Sequence, residues 1–174
     1  MVITFNGKTP KISENAFVAD NAVIIGDVTI EDDASIWFGV VIRGDIAPVY
    51  IGKGTNIQDN TVVHVDSNIP CIIREYVTVG HAAIIHSATV EEHCLIGMGA
   101  VILTGAVVRK GSIVGAKALI LEHALIEENS LTVGMPARTI RRVTEDEKKG
   151  VFDNTSHYIE LSKEYIKISR NIEK

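Results

Sequence analysis

Residues 90–126 read VEEHCL-IGMGAV-ILTGAV-VRKGSI-VGAKAL-ILEHAL-I, so that an Ile or Val returns at every sixth position: Val90, Ile96, Ile102, Val108, Val114, Ile120 and Ile126. A step of six is neither the alternation of an ordinary strand nor the 3.6-residue period of a helix. Followed backward, the same step reaches Ile84, Thr78 and Ile72, and a separate run holds Ile12, Val18, Ile24, Ile30, Ile36 and Ile42. Fifteen of these sixteen positions are Ile or Val, although the two residues supply only 45 of the 174 in the chain. The spacing is therefore a structural signal and not an effect of composition.

Between the runs, Ile51, Ile57 and Val63 keep the step but lie three residues out of phase. Two three-residue inserts, Pro48-Val49-Tyr50 and Ile69-Pro70-Cys71, account for the shift, each with a proline that suits a loop. Of the 19 positions four residues after an anchor, 15 are Ala, Ser, Thr or Cys, as at Ala16, Ala22, Thr61, Ala82, Ala100 and Ala124. Six residues then make one short strand and one tight corner, and three such units close a triangular coil of about 18 residues. Coils stacked at about 4.7–4.9 Å line up β-branched anchors into inward ladders that fill a narrow prism with few aromatics. The spacing predicts an all-β solenoid of about seven coils, with repeats over residues 12–131 inside a unit spanning 1–143.

After Thr132-Val133-Gly134-Met135-Pro136-Ala137 the rule stops. Thr144-Glu145-Asp146-Glu147 reads as a capping box, and Val151, Tyr158, Leu161, Tyr165 and Ile168 recur at helical spacing. Residues 144–174 are thus expected to form a helical segment packed along the solenoid, with helix to about Ser169 and Arg170–Lys174 frayed. A formal charge of -5 argues against a nucleic-acid partner. No stretch approaches a spanning helix, and the N-terminus lacks a signal pattern, so no membrane association is expected. Cys71 and Cys94 form no CxxC pair, which fits a reducing, cytoplasmic setting.

Of six histidines, three stand out. Counting coils puts His64 and His86 on the same side of successive coils, about one strand spacing apart. His81 sits at the corner before the side that holds His86, so it can meet the other two only across a neighbouring subunit. Three imidazoles at such a seam suit Zn²⁺ with a fourth position open. Arg43 and Asp45 lie one coil earlier on the same side, placed for a salt bridge that could join subunits, and Gln58-Asp59 occupies the adjacent side. His93 and His123 read as ordinary surface or core histidines, and Cys94 as a packing residue at a small-residue corner.

Arg43-x-Asp45, Gln58-Asp59, His64 six residues after Gln58, and His81-x4-His86 within a hexapeptide solenoid together resemble the γ-class carbonic anhydrases over nearly the whole chain. The resemblance implies a left-handed parallel β-helix with a C-terminal α-helix, assembled as a homotrimer. Each interfacial metal would take His64 and His86 from one chain and His81 from the next. It implies a lyase that reversibly hydrates CO₂ to bicarbonate by a metal-bound hydroxide, with Zn²⁺ as cofactor and Fe²⁺ or Co²⁺ as possible substitutes. Gln58 would hold the hydroxide or a CO₂ oxygen, Asp59 would support Gln58, Tyr158 would face the metal pocket, and Arg43 and Asp45 would be structural at the interface.

Two departures bear on turnover. The best-studied type has a glutamate just after Arg-x-Asp, where this chain has Ile46, and an acidic loop after the first metal histidine, where this chain has only Val65-Asp66-Ser67-Asn68. Low, buffer-limited activity is the expectation. Two other readings stand beside it: a non-catalytic metal-binding trimeric scaffold, and a hexapeptide-repeat acyltransferase, whose C-terminal segment resembles Val133-Gly134-Met135-Pro136-Ala137-Arg138.

Overall fold

The structure, a computed structural model, describes residues 1–172, with side chains through Ile168. Twenty short strands precede one helix, α1 (Glu145–Ile172). The strands stack into a left-handed parallel β-helix of seven coils with three faces. Face 1 holds Phe17–Val18, Ser35–Ile36, Asn56–Ile57, Thr78–Val79, Leu95–Ile96, Ile113–Val114 and Ser130–Gly134, closed by the antiparallel strand Ala137–Arg142. Faces 2 and 3 merge into a single 12-stranded sheet because Val23–Ile30 and Val41–Ile51 run unbroken round the corner between them.

Inside, the predicted ladders are present. Ile24, Ile42, Val63, Ile85, Ile102 and Ile120 form one fully shielded column, and Ile36, Ile57, Val79, Ile96 and Val114 form another. Each complete burial of such a side chain contributes about 1.5–3 kcal/mol. Small residues at the corners, such as Ala83, Ala100 and Ala118, are equally buried, which lets successive coils turn without a void. Backbone N–H groups of one coil donate to carbonyls of the next, as Gln58 N does to Val79 O at 2.9 Å.

The phase differs from the sequence reading in the middle of the chain. The buried residues there are Ile73, Val79 and Ile85, whereas Ile84 is 41% exposed and Thr78 faces outward beneath α1. Val63 and Ile73 are ten residues apart and Ile85 and Val90 only five. The chain thus carries a four-residue excess, formed by the tight turn closed between Asp66 and Ile69, followed by a one-residue deficit. The first insert is also displaced. Val49 and Tyr50 are paired in the ladder with Val28 and Thr29, and the extra residues lie at Asp45–Pro48, opposite Asp27.

Gly44 sits at the start of that bulge for a steric reason: a Cβ there would meet the Asp27 carbonyl oxygen at 2.5 Å. The glycine lets the strand bend immediately after Arg43 and turn the Asp45 side chain back to it.

α1 begins with the expected capping box. The Thr144 N–H donates to Glu147 Oε2 at 2.8 Å, and the Glu147 N–H donates to Thr144 Oγ1 at 3.2 Å. Val151, Thr155 and Ser162 are buried and Tyr158, Leu161, Tyr165 and Ile166 are partly so, packed against face 1. Ile168 departs from the predicted stripe, being 55% exposed; Ile166 packs against the core in its stead. The helix continues past Ser169 through Ile172, and the expected fraying of Glu173 and Lys174 lies outside the described residues.

Candidate metal centre

Face 2 presents its outward side chains in columns, one residue per coil. Arg43, His64 and His86 are direct register partners in adjacent strands. Stacking alone therefore brings two imidazoles together: His64 Nδ1 and His86 Nε2 are 3.2 Å apart. The remaining nitrogen of each ring is engaged, His64 Nε2 with Asp45 Oδ1 at 3.2 Å and His86 Nδ1 with Thr104 Oγ1 at 3.0 Å. Asp45 is held in turn by the Arg43 guanidinium.

This arrangement favours a neutral His64 imidazole. Burial, aided by the nearby Arg43 charge, holds His64 below its ordinary pKa despite the opposing hydrogen bond and charge of Asp45. Burial works against ionisation of Asp45, but the hydrogen bonds from Arg43 and His64 prevail and hold its carboxyl below the usual carboxylate value. An ionised Asp45 accepts the His64 Nε2 proton, which leaves Nδ1 with a free lone pair, as a metal ligand requires.

The donor set fits a tetrahedral cation in one respect that can be measured. Zn–N bonds of about 2.0–2.1 Å place two imidazole nitrogens about 3.3 Å apart, close to the 3.2 Å between His64 Nδ1 and His86 Nε2. Asp45 and Thr104 supply the outer hydrogen bonds that fix ligand orientation. A third ligand is not grouped with them. Among the described residues of one chain, no three His, Cys, Asp or Glu side chains gather to hold a metal.

His81 is elsewhere, at the corner between faces 1 and 2, half-exposed, with Nδ1 2.9 Å from Asp59 Oδ2. The aspartate expected to support Gln58 therefore pairs with His81 in this chain. Gln58 is held by Asn56, whose Oδ1 accepts from Gln58 Nε2 at 3.0 Å. Arg43 and Asp45 also close on each other within one chain. Tyr158, on α1, borders a cavity of about 250 Å³ shared with Gln58, His81, Met98 and Asn154. Burial, together with the negative charge of Asp59, raises the Tyr158 pKa, so the side chain there is a phenol and a hydrogen-bond donor. The structure thus joins Arg43, Asp45, His64 and His86 in one group, and gathers Gln58, Asp59, His81 and Tyr158 around a second place.

The sequence reading missed Thr104, Asn56 and Asn154. Thr104 lies 18 residues after His86, one regular coil, and Asn56 lies two before Gln58 on the same outward side of the strand. Coil arithmetic applied to polar residues as well as to Ile and Val would have found both. Asn154 precedes Tyr158 by one helical turn.

Comparison with known proteins accords with this architecture. The family model described as bacterial transferase hexapeptide (six repeats) matches residues 9–44. A carbonic anhydrase of Geobacillus kaustophilus is 50% identical over 165 residues, covering 95% of this chain and 91% of that protein. Mitochondrial gamma carbonic anhydrase 3 of Arabidopsis thaliana is 49% identical over 161 residues, covering 89% of this chain and 62% of that protein. Among solved structures, a hexapeptide transferase family protein of Anaplasma phagocytophilum superposes with a TM-score of 0.91 at 39% identity, covering 94% of this chain and 97% of that one. By fold, repeat and relatives, the chain belongs to the γ-carbonic-anhydrase-like family of hexapeptide-repeat β-helices.

Proposed function

We propose that this protein is a metal-dependent carbonic anhydrase that interconverts CO₂ and bicarbonate at the interfaces of a homotrimer. The observation that carries the reading is the His64–His86 pair, whose facing nitrogens are 3.2 Å apart while Asp45 and Thr104 occupy the other two. Such a pair supplies two of the three imidazoles that an open tetrahedral site needs. The third, His81, is half-exposed one corner away on the same coil as His86, where it is presented outward. A threefold axis that brings this corner of one protomer against face 2 of the next supplies His81 to the neighbour's pair, and closure makes three equal sites.

The surface of face 2 supports that assembly. Val62 and Ile84, register partners beside the histidines, are 36% and 41% exposed, and Leu121 lies further up the same face at 44%. A contiguous apolar patch around a cluster of polar ligands is what a buried interface leaves when a protomer is viewed alone.

Zn²⁺ fits the three-imidazole set, and Fe²⁺ or Co²⁺ would accept the same donors. When bound, the ion would supply Lewis acidity that lowers the pKa of a coordinated water toward neutrality. Asp45 and Thr104 hold the two rings aimed, each through the ring's other nitrogen. Gln58 orients an oxygen of the reactants, and the Tyr158 phenol offers a donor at the same cavity. Ile46, 51% exposed, offers no carboxylate to carry the released proton away, so external buffer does so and low turnover in dilute buffer follows. Cys71 and Cys94 are both free and buried, as a protein of a reducing cytoplasm can keep them.

The test is His81→Ala in protein purified anaerobically and reloaded with Zn²⁺. The expected result is a trimer that persists while metal falls from one per chain toward zero and CO₂ hydration drops to the buffer rate. Full metal retention in His81→Ala would overturn the cross-subunit site. Wild-type trimer replete in metal with no buffer-dependent hydration would favour the scaffold reading, and CoA binding without metal would favour acyl transfer.

A further inference from the structure

Between face 1 and α1 runs a chain of buried polar groups that no part of the metal pair uses. Asn56, Thr78, Thr155 and Gln58 are all 5% exposed or less. Gln58 Nε2 donates to Asn56 Oδ1 at 3.0 Å, and Asn56 Nδ2 donates to Thr78 Oγ1 at 3.0 Å. Thr78 Oγ1 in turn reaches Asn154 Oδ1 at 3.1 Å and Thr155 Oγ1 at 3.3 Å, and Thr155 Oγ1 donates to the Val151 carbonyl at 2.9 Å.

The direction of this chain follows from its far end. A backbone carbonyl only accepts, so the single hydroxyl proton of Thr155 is committed to Val151. Thr155 Oγ1 must then accept from Thr78, whose own proton is thereby shared between Thr155 and Asn154. With its proton spent on α1, Thr78 can only accept from Asn56. That turns the Asn56 NH₂ toward Thr78 and its Oδ1 toward Gln58, which must answer with its NH₂. Each step removes one of two otherwise equivalent amide orientations.

We propose that the Val151 carbonyl of α1 dictates, through the hydroxyls of Thr155 and Thr78 and the amide of Asn56, which way round the Gln58 amide is held. Thr78 is the positioning residue at the centre. The outcome is that Gln58 Oε1, which has no hydrogen-bond partner among the described residues, is the acceptor left at the cavity bordered by His81 and Tyr158. An acceptor takes an O–H, and CO₂ has none. Gln58 Oε1 therefore takes the hydroxyl of water or of bicarbonate, while one of the two Gln58 N–H donors is committed to Asn56 Oδ1. The catalytic consequence rests on the carbonic anhydrase reading; the relay itself does not.

The experiment compares Thr78→Val, Thr78→Ser and Thr155→Val in the Zn²⁺-loaded trimer. Valine preserves the shape of threonine without the hydroxyl, and serine preserves the hydroxyl without the methyl. The side-chain amide ¹H–¹⁵N resonances of Asn56 and Gln58 are followed beside kcat and KM for CO₂. Thr78→Val should move both amide pairs, speed their hydrogen exchange at least tenfold, and lower kcat about five- to tenfold, the worth of one net hydrogen bond, with KM unchanged. Thr78→Ser should return both readouts to within about twofold of wild type. Thr155→Val, which leaves face 1 untouched, should move the same resonances. Unchanged amide signals in Thr78→Val, or a loss in Thr78→Ser as large as in Thr78→Val, would overturn the relay. Absence of CO₂ hydration in the wild type would remove the enzymatic reading alone, because the amide signals decide the relay without it.

Discussion

Ile84 and Ile85 are adjacent, chemically identical and opposite in role, so alanine at each position measures the phase of the solenoid directly. Ile85 is fully buried, with Val63 beneath it and Ile102 above it in register. Truncation removes three carbons, a transfer loss of about 2.4 kcal/mol at 0.8 per group. The coils on either side are held apart by parallel hydrogen-bond ladders and cannot close on the void. The cost should therefore exceed transfer alone, at about 3–4 kcal/mol. In a chain of this size that lowers the melting temperature by about 10 °C. Ile84→Ala should cost the protomer only about 0.5 kcal/mol, since its side chain stands outside the prism. Urea unfolding under reducing conditions at two protein concentrations separates the effects. The Ile85→Ala loss should not depend on concentration, whereas any Ile84→Ala loss should grow on dilution, because that side chain belongs to the face proposed to be covered by a second protomer. A concentration-independent loss at Ile84 equal to that at Ile85 would refute the assigned phase.

Glu147 caps α1 and is gripped by both guanidinium nitrogens of Arg141, at 2.7 and 2.8 Å. The hydrogen bonds from Arg141, followed by the Thr144 backbone N–H, hold its carboxyl down at about 2, against an ordinary 4.5. A depressed folded-state pKa means that the stabilisation is complete above 4.5 and is lost as pH falls through 4.5 toward 2. Glu147→Gln should therefore flatten the stability profile in that acid window and be destabilising above it; an unchanged profile would remove the cap from the account. Burial pushes the Cys71 and Cys94 thiols up to about 12. Neither should be alkylated by iodoacetamide at pH 8 in the native protein while both react in urea, and rapid native labelling would contradict their placement.

Much of this molecule was legible in the repeat, and the point where it was not is instructive. In Ile72-Ile73 and Ile84-Ile85 two β-branched residues stand side by side, so either can serve as the anchor. A three-residue insert and a four-residue excess with a later deficit preserve the hydrophobic pattern equally well. Only the hydrogen-bond register separates them. Thr78, the lone exception among the sixteen anchors, marked the discrepancy: its hydroxyl belongs to the contact with α1 and not to the core. At the site, coil counting placed His64 against His86 because both lie on the same side of successive coils, and the register adds that each follows a buried residue, Val63 or Ile85, by one. It could not assign Asp59 between Gln58 and His81, because corner geometry, not strand register, decides that pairing.

The excess after Val63 and the shortfall before Val90 behave like a frameshift and its suppressor. Between them the chain is read one residue late; their net gain of three, added to the three extra residues at Asp45–Pro48, makes one whole six-residue repeat, so beyond Val90 the frame of Ile12–Ile42 resumes. Inserted length at Asp66–Ile69 is thus quarantined from the rest of the prism. This leaves the turn beside His64 free to lengthen or shorten, so that the surroundings of the His64–His86 pair can be rewritten without disturbing the scaffold that aligns it.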